Sequence, residues 1–117
     1  MAKSHFVEYV VEDLLNGMDG VSARAMFGGH GIYREGVIFG IVVEDTLYFK
    51  VDETNRKDYE AAQSRPFTYQ AKGRKKVSIS YWEVPAEILD DREALAEWAE
   101  HSRQINCKSA IKRKRSA

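Results

Sequence analysis

Residues 22–52 read SARAMFGGHGIYREGVIFGIVVEDTLYFKVD, and this stretch decides the fold. Within it Val37 to Val43, VIFGIVV, is apolar on both faces, so the strand it forms must be covered on both sides and sits centrally in a sheet. Thr46 to Val51 alternates cleanly, with Leu47, Phe49 and Val51 pointing one way and Thr46, Tyr48 and Lys50 the other. Arg34-Glu35-Gly36 and Glu44-Asp45 supply the turns on either side of VIFGIVV. Upstream, Val21 to Phe27 and Gly31 to Arg34 are two further strand candidates, separated by a glycine cluster, Gly28-Gly29-His30-Gly31. Consecutive glycine amides can cradle an anion. Here the spacing matches neither GxxxxGK[ST] nor GxGxxG, and the cluster lies between strands instead of ahead of a helix. It is read as a bend or bulge where backbones come close.

Working outward, Phe6, Val7, Val10, Val11, Leu14 and Leu15 recur at the spacing of one helical face, with Glu8, Glu12 and Asp13 elsewhere on the wheel. Ser4 is a candidate cap, and Gly17 or Gly20 a candidate stop. After the core stretch, residues 52–64 carry capping residues and helix formers around one large apolar residue, Tyr59, and predict a short surface helix. Pro66 to Gln70 and Val77 to Trp82 predict a hairpin around Gly73. Asp90 and Glu93 have capping-box spacing before a helix whose stripe is Leu95, Trp98, Ala99, Ser102 and Ile105. The sum is an α+β fold in the order α-β-β-β-β-α-β-β-α, an antiparallel sheet of five to six strands flanked by helices.

At 117 residues, with 44% hydrophobic side chains, the chain has room for one domain and one modest core. Lys and Arg total 18, as do Asp and Glu, but five bases fall after residue 107 with no acid among them. Residues 1–107 thus form a domain of net charge −5, and residues 108–117 a basic tail of +5 that is expected to be mobile. A body of that sign is not a natural phosphate-binding surface. One cysteine, Cys107, excludes an internal disulfide or a thiolate-rich zinc site and suits a reducing compartment. Early acidic residues break any signal-peptide reading, and no apolar run approaches the roughly 20 residues that span a bilayer, so a cytoplasmic protein without membrane contact is expected.

The catalytic vocabulary is thin. His5, His30 and His101 have no second ligand or base at metal-site spacing. Cys107 sits near a helix C-terminus, which opposes thiolate formation. Arg24, Lys50 and Asp52 either line a pocket or form a cross-strand ionic pair on the solvated face. Lys72, Arg74, Lys75 and Lys76 at the second hairpin, and Lys112, Arg113, Lys114 and Arg115 in the tail, are candidate phosphate contacts, with Tyr69, Tyr81 and Trp82 in adjoining strands able to stack on a base. The plain alternative is a soluble charged loop and a solvated tail. No catalytic residue, metal or cofactor is expected.

Arg24-Ala-Met26-Phe27-Gly28-Gly29-His-Gly31-Ile-Tyr33, Phe39-Gly40, Leu47-Tyr48-Phe49-Lys50-Val51-Asp52, Pro66-Phe67-Thr-Tyr69 and Tyr81-Trp-Glu-Val-Pro85 together resemble the amino-terminal domain of the TfoX/Sxy family, bacterial regulators of natural competence. The resemblance runs from about Phe6 to Ser102. It implies an α+β domain of secretion-chaperone-like arrangement, no catalytic residue, and a role in DNA-uptake gene regulation together with the cyclic-AMP receptor protein. Longer members carry a second, helical domain where this chain has its basic tail. The expectation is therefore a non-enzymatic transcription regulator acting through protein contacts, with the transcription machinery or a cyclic-AMP receptor-type activator as partner, and with weak non-specific DNA contact. Its candidate binding surface is Arg24, His30, Lys50, Asp52 and Tyr69. The alternative is an interaction module unrelated to competence, dimeric through sheet edges or helices. An enzyme would require His30, Arg24 and Asp52 to meet in one deep pocket.

Overall fold

A computed structural model describes residues 5–16, 18–26, 29–70 and 76–116, of which residues 26, 68–70, 76–79 and 108–116 are described by backbone alone. The Gly73 turn, Ser4 and Gly17 lie outside the described residues. Six antiparallel strands form one sheet: β1 Val21–Met26, β2 Gly29–Arg34, β3 Val37–Val43, β4 Thr46–Lys50, β5 Pro66–Gln70 and β6 Lys76–Glu83, in the spatial order β1-β2-β3-β4-β6-β5. VIFGIVV is thus an inner strand, as its two apolar faces require. In both turns flanking it the central residues have positive φ, Glu35 at 51° with Gly36 at 83° and Glu44 at 50° with Asp45 at 60°. That handedness matches the twist of the strands it joins.

The alternation read in Thr46 to Val51 holds, with Leu47, Phe49 and Val51 buried and Thr46, Tyr48 and Lys50 half-buried. The first group joins Ile32, Phe39 and Val42 in the main core, closed by Val7, Val10, Leu14 and Leu15 from the first helix and by Leu95 and Ala99 from the last. Tyr59, on the short helix α2 (Arg56–Ala61), lies 4.6 Å from the Trp98 ring and completes this layer. The register shifts between Ile32 and Tyr33, leaving Phe39 as an extra residue on β3 that packs edge-on to Phe49.

Several local expectations change. The first helix is α-helical only over α1, His5–Tyr9; residues Val10–Leu14 form a π turn, with Leu15 N–H reaching back to the Val10 carbonyl at 2.9 Å. A short helix α3, Ala86–Leu89, precedes the last one and ends at Asp90. The cap of α4, Arg92–Ser116, is therefore Asp91, whose Oδ1 accepts the Ala94 N–H at 3.2 Å. Of the predicted stripe of α4, Leu95, Ala99, Ser102 and Ile105 are buried, while Trp98 is half-buried against the core. Beyond it the backbone stays helical to Ser116, across the segment expected to be a mobile tail. An apolar stripe reports which part of a helix is covered, and says little about where an uncovered helix ends.

Candidate interaction surface

Strand pairing sorts the candidate residues between the two faces of the sheet. Arg24 opposes Gly31, Gly31 opposes Ile41, Ile41 opposes Tyr48 and Tyr48 opposes Glu83, while Lys50 opposes Tyr81. Side chains alternate along a strand, so this row marks one face, turned away from the main core. His30 instead opposes Ala25 and Val42, and Val42 opposes Leu47. His30 thus shares the core-side face, across the sheet from Arg24 and Lys50.

On the outer face two cations lie over two tyrosines. The Arg24 guanidinium is 5.4 Å from the centre of the Tyr33 ring, and Lys50 Nζ is 5.6 Å from that of Tyr81. Burial raises the Tyr81 pKa, and the hydrogen bond from Asn106 lowers it in part. Tyr48 and Phe67 meet edge-on at 4.9 Å farther along the same face. Burial raises the Tyr48 pKa too, reinforced by Glu83 and Glu44. No cross-strand ion pair engages Arg24 or Lys50 among the described residues, contrary to the ionic-pair expectation.

Asp52 follows β4 in a different environment. Its N–H donates to Asn55 Oδ1 at 2.8 Å, and its Oδ1 accepts both the Thr54 N–H at 2.8 Å and the Thr54 hydroxyl. Thr54 Oγ1 also lies 2.9 Å from His101 Nε2 on α4. Partial burial pushes the Asp52 carboxyl up, but the Thr54 hydrogen bonds and the His101 and Lys50 charges outweigh it and hold the pKa below its ordinary value. Aspartate, threonine and histidine do not make a nucleophile here. In a triad the carboxylate orients the far ring nitrogen; here carboxylate and imidazole address the same hydroxyl. The array is a loop closure that pins α4.

Further ties hold α4 across the strand ends. Ser102 donates to the Lys50 carbonyl at 2.7 Å, and Asn106 to the Ile38 carbonyl at 2.9 Å. Glu100 accepts from Arg34 on β2 at 2.8 Å and from Arg103 Nη2 at 2.7 Å. The Arg103 bond foremost, with Gln104 and Arg34, overcomes partial burial and lowers the Glu100 pKa to about 2. Sequence spacing discloses the Glu100–Arg103 pair, three residues apart on one helix, but carries no signal for Arg34.

Two adjoining clefts share Arg65 and Glu83 in their walls, with volumes of about 320 and 270 Å³. None of Arg24, His30, Lys50 and Asp52 lines either cleft, so the pocket an enzyme would require is not assembled there. Among the described residues no three His, Cys, Asp or Glu side chains group to hold a metal. Tyr69 and Lys76 are placed by backbone only, in β5 and β6, as are Lys112, Arg113, Lys114 and Arg115 in α4. Lys72, Arg74 and Lys75 lie outside the described residues.

Comparison with curated proteins finds no match to the chain. A family model, the TfoX N-terminal domain, matches residues 13–105, from the π turn through all six strands to Ile105 of α4. That family consists of regulatory, non-catalytic domains with a competence-related role. With the matched region covering most of the 117 residues, the chain belongs to the TfoX N-terminal domain family.

Proposed function

We propose that this chain is a non-enzymatic, cytoplasmic regulator of competence-gene transcription that acts through protein contacts, with a cyclic-AMP receptor-type activator as its partner. The observation that carries the reading is the outer sheet face, where Arg24 and Lys50 lie over Tyr33 and Tyr81. Cations held on aromatic rings are pre-positioned, so meeting an acidic or aromatic partner surface costs them little side-chain entropy. A protein contact suits this face better than a DNA groove, because residues 1–107 carry a net charge of −5. Weak, sequence-independent DNA contact is assigned to the basic segments, Lys72 to Lys76 and Lys112 to Arg115.

The test is genetic and then biochemical. Deleting the gene should lower transformation and competence-gene transcripts, and complementation with an Arg24→Ala/Lys50→Ala double variant should fail to restore them while the protein accumulates normally. Full restoration by the double variant removes this face from the function. Unchanged transcripts on deletion would favour an interaction module outside competence, the reading that the open edge strand β1 supports.

A further inference from the structure

The sheet has two edges of different character. At one, β5 opens with Pro66, which lacks an N–H, and its register with β6 shifts between Pro66 and Thr68. Proline and irregular pairing both blunt an edge against further strands. At the other, β1 pairs with β2 in unbroken register over Val21–Met26 and contains no proline. Among the described residues β2 is its one strand neighbour. Val21 and Ala23 pack on the core, while Ser22, Arg24 and Ala25 are exposed. A charged side chain is the usual remaining guard of an edge. Here Arg24 is drawn over Tyr33 on its own sheet.

We infer that β1 is a docking edge for a second copy of this chain, pairing antiparallel with its own counterpart about Ala23. A two-fold seam stops after one addition, and the blunted β5 edge gives the sheet nowhere else to grow. The register follows from elementary constraints. Opposed residues in an antiparallel pair share one hydrogen-bonding state, so a two-fold seam sets some residue opposite itself. Centring on Arg24 confronts two guanidinium groups, and centring on Ser22 or Ala25 leaves only three residues of β1 paired. Centring on Ala23 pairs residues 21–25, with Val21 opposite Ala25, Ser22 opposite Arg24, and no like charges in contact. A strand seam alone buries less than about 1,000 Å², so the association is weak and reversible.

Sedimentation equilibrium of the full chain at low salt, from micromolar to millimolar concentration, tests this. A monomer–dimer equilibrium is expected. Ser22→Arg, which sets an arginine against Arg24 of the second copy twice per dimer, should weaken it by about threefold to tenfold, and Ser22→Glu should strengthen it by a similar factor. Circular dichroism checks that both variants stay folded, as an exposed position allows. Amide exchange should slow at residues 21–25 as concentration rises. A chain that stays monomeric throughout, or a dimer indifferent to both Ser22 variants, overturns the proposal; so does higher protection at 21–25 only on adding a different protein's extended peptide.

Discussion

At position 29 the fold has space for a hydrogen and nothing larger. A Cβ built there would lie 2.3 Å from the Val42 carbonyl oxygen, which belongs to the central strand and has nowhere to retreat. Gly29→Ala should therefore cost about 1–3 kcal/mol, read as a lower urea midpoint with unchanged slope. Tyr59 presents the opposite situation. It is 1% exposed, and its hydroxyl has no hydrogen bond of good geometry among the described residues, although Ser102 is near enough to temper the rise that burial imposes on its pKa. A buried hydroxyl without a partner costs about 1–3 kcal/mol, so Tyr59→Phe should hold or raise the midpoint. A clear loss would mean that Ser102 accepts this proton in solution. Neither fact is legible in the sequence. The glycine cluster announces a close approach of backbones, but which carbonyl approaches depends on the β2–β3 register, and Tyr59 reads simply as the apolar anchor of a short helix.

Among the elements, α4 is held by its buried apolar stripe and tied a second time at its flank. Glu100 joins Arg103 on its own helix to Arg34 on β2, and its side chain is 29% exposed. Its folded pKa of about 2 lies below the ordinary 4.5, so the unfolded chain binds its proton first as pH falls. The stabilisation is complete above about pH 4.5 and is lost progressively towards pH 2. Glu100→Gln should lower stability at neutral pH and flatten the acid limb in that window, measured by denaturation midpoints at successive pH values. If the two proteins keep parallel acid limbs, the cluster carries no net linkage. The elements themselves were legible where period and burial coincide, as in VIFGIVV, the alternating Thr46–Val51 strand and the Leu95–Ile105 stripe. They were obscure where backbone hydrogen bonding departs from the common pattern. The π turn keeps Val10 and Leu14 buried, so an apolar stripe cannot distinguish it from α-helix. Of the candidate surface, the strand alternation put Lys50 opposite the core, yet its partner Tyr81 and the pairing of Arg24 with Tyr33 emerge only once the strands are in register.

For the whole molecule, the dominant fact is a charge separation that the zero net charge conceals. The described side-chain ties of α4 to the sheet reach as far as Asn106, just before the five bases at 108–115. A chain ending at Cys107 should therefore unfold at nearly the same temperature as the full chain while carrying −5 in place of zero. If the basic segment contacts DNA, it does so through phosphates. Up to five neutralised phosphates release their counterions, and the logarithm of the association constant should fall against log salt with a slope no steeper than about −4.5. Sequence should matter little, since phosphate contacts position a protein without reading bases. Gel shifts of the full chain and of the form ending at Cys107, on two unrelated duplexes at several salt concentrations, separate the contributions. Loss of binding on truncation assigns DNA contact to the C-terminal segment. Equal affinity for both forms, with the slope retained, would transfer it to Lys72, Arg74, Lys75 and Lys76, where neutralising those four side chains should abolish what remains.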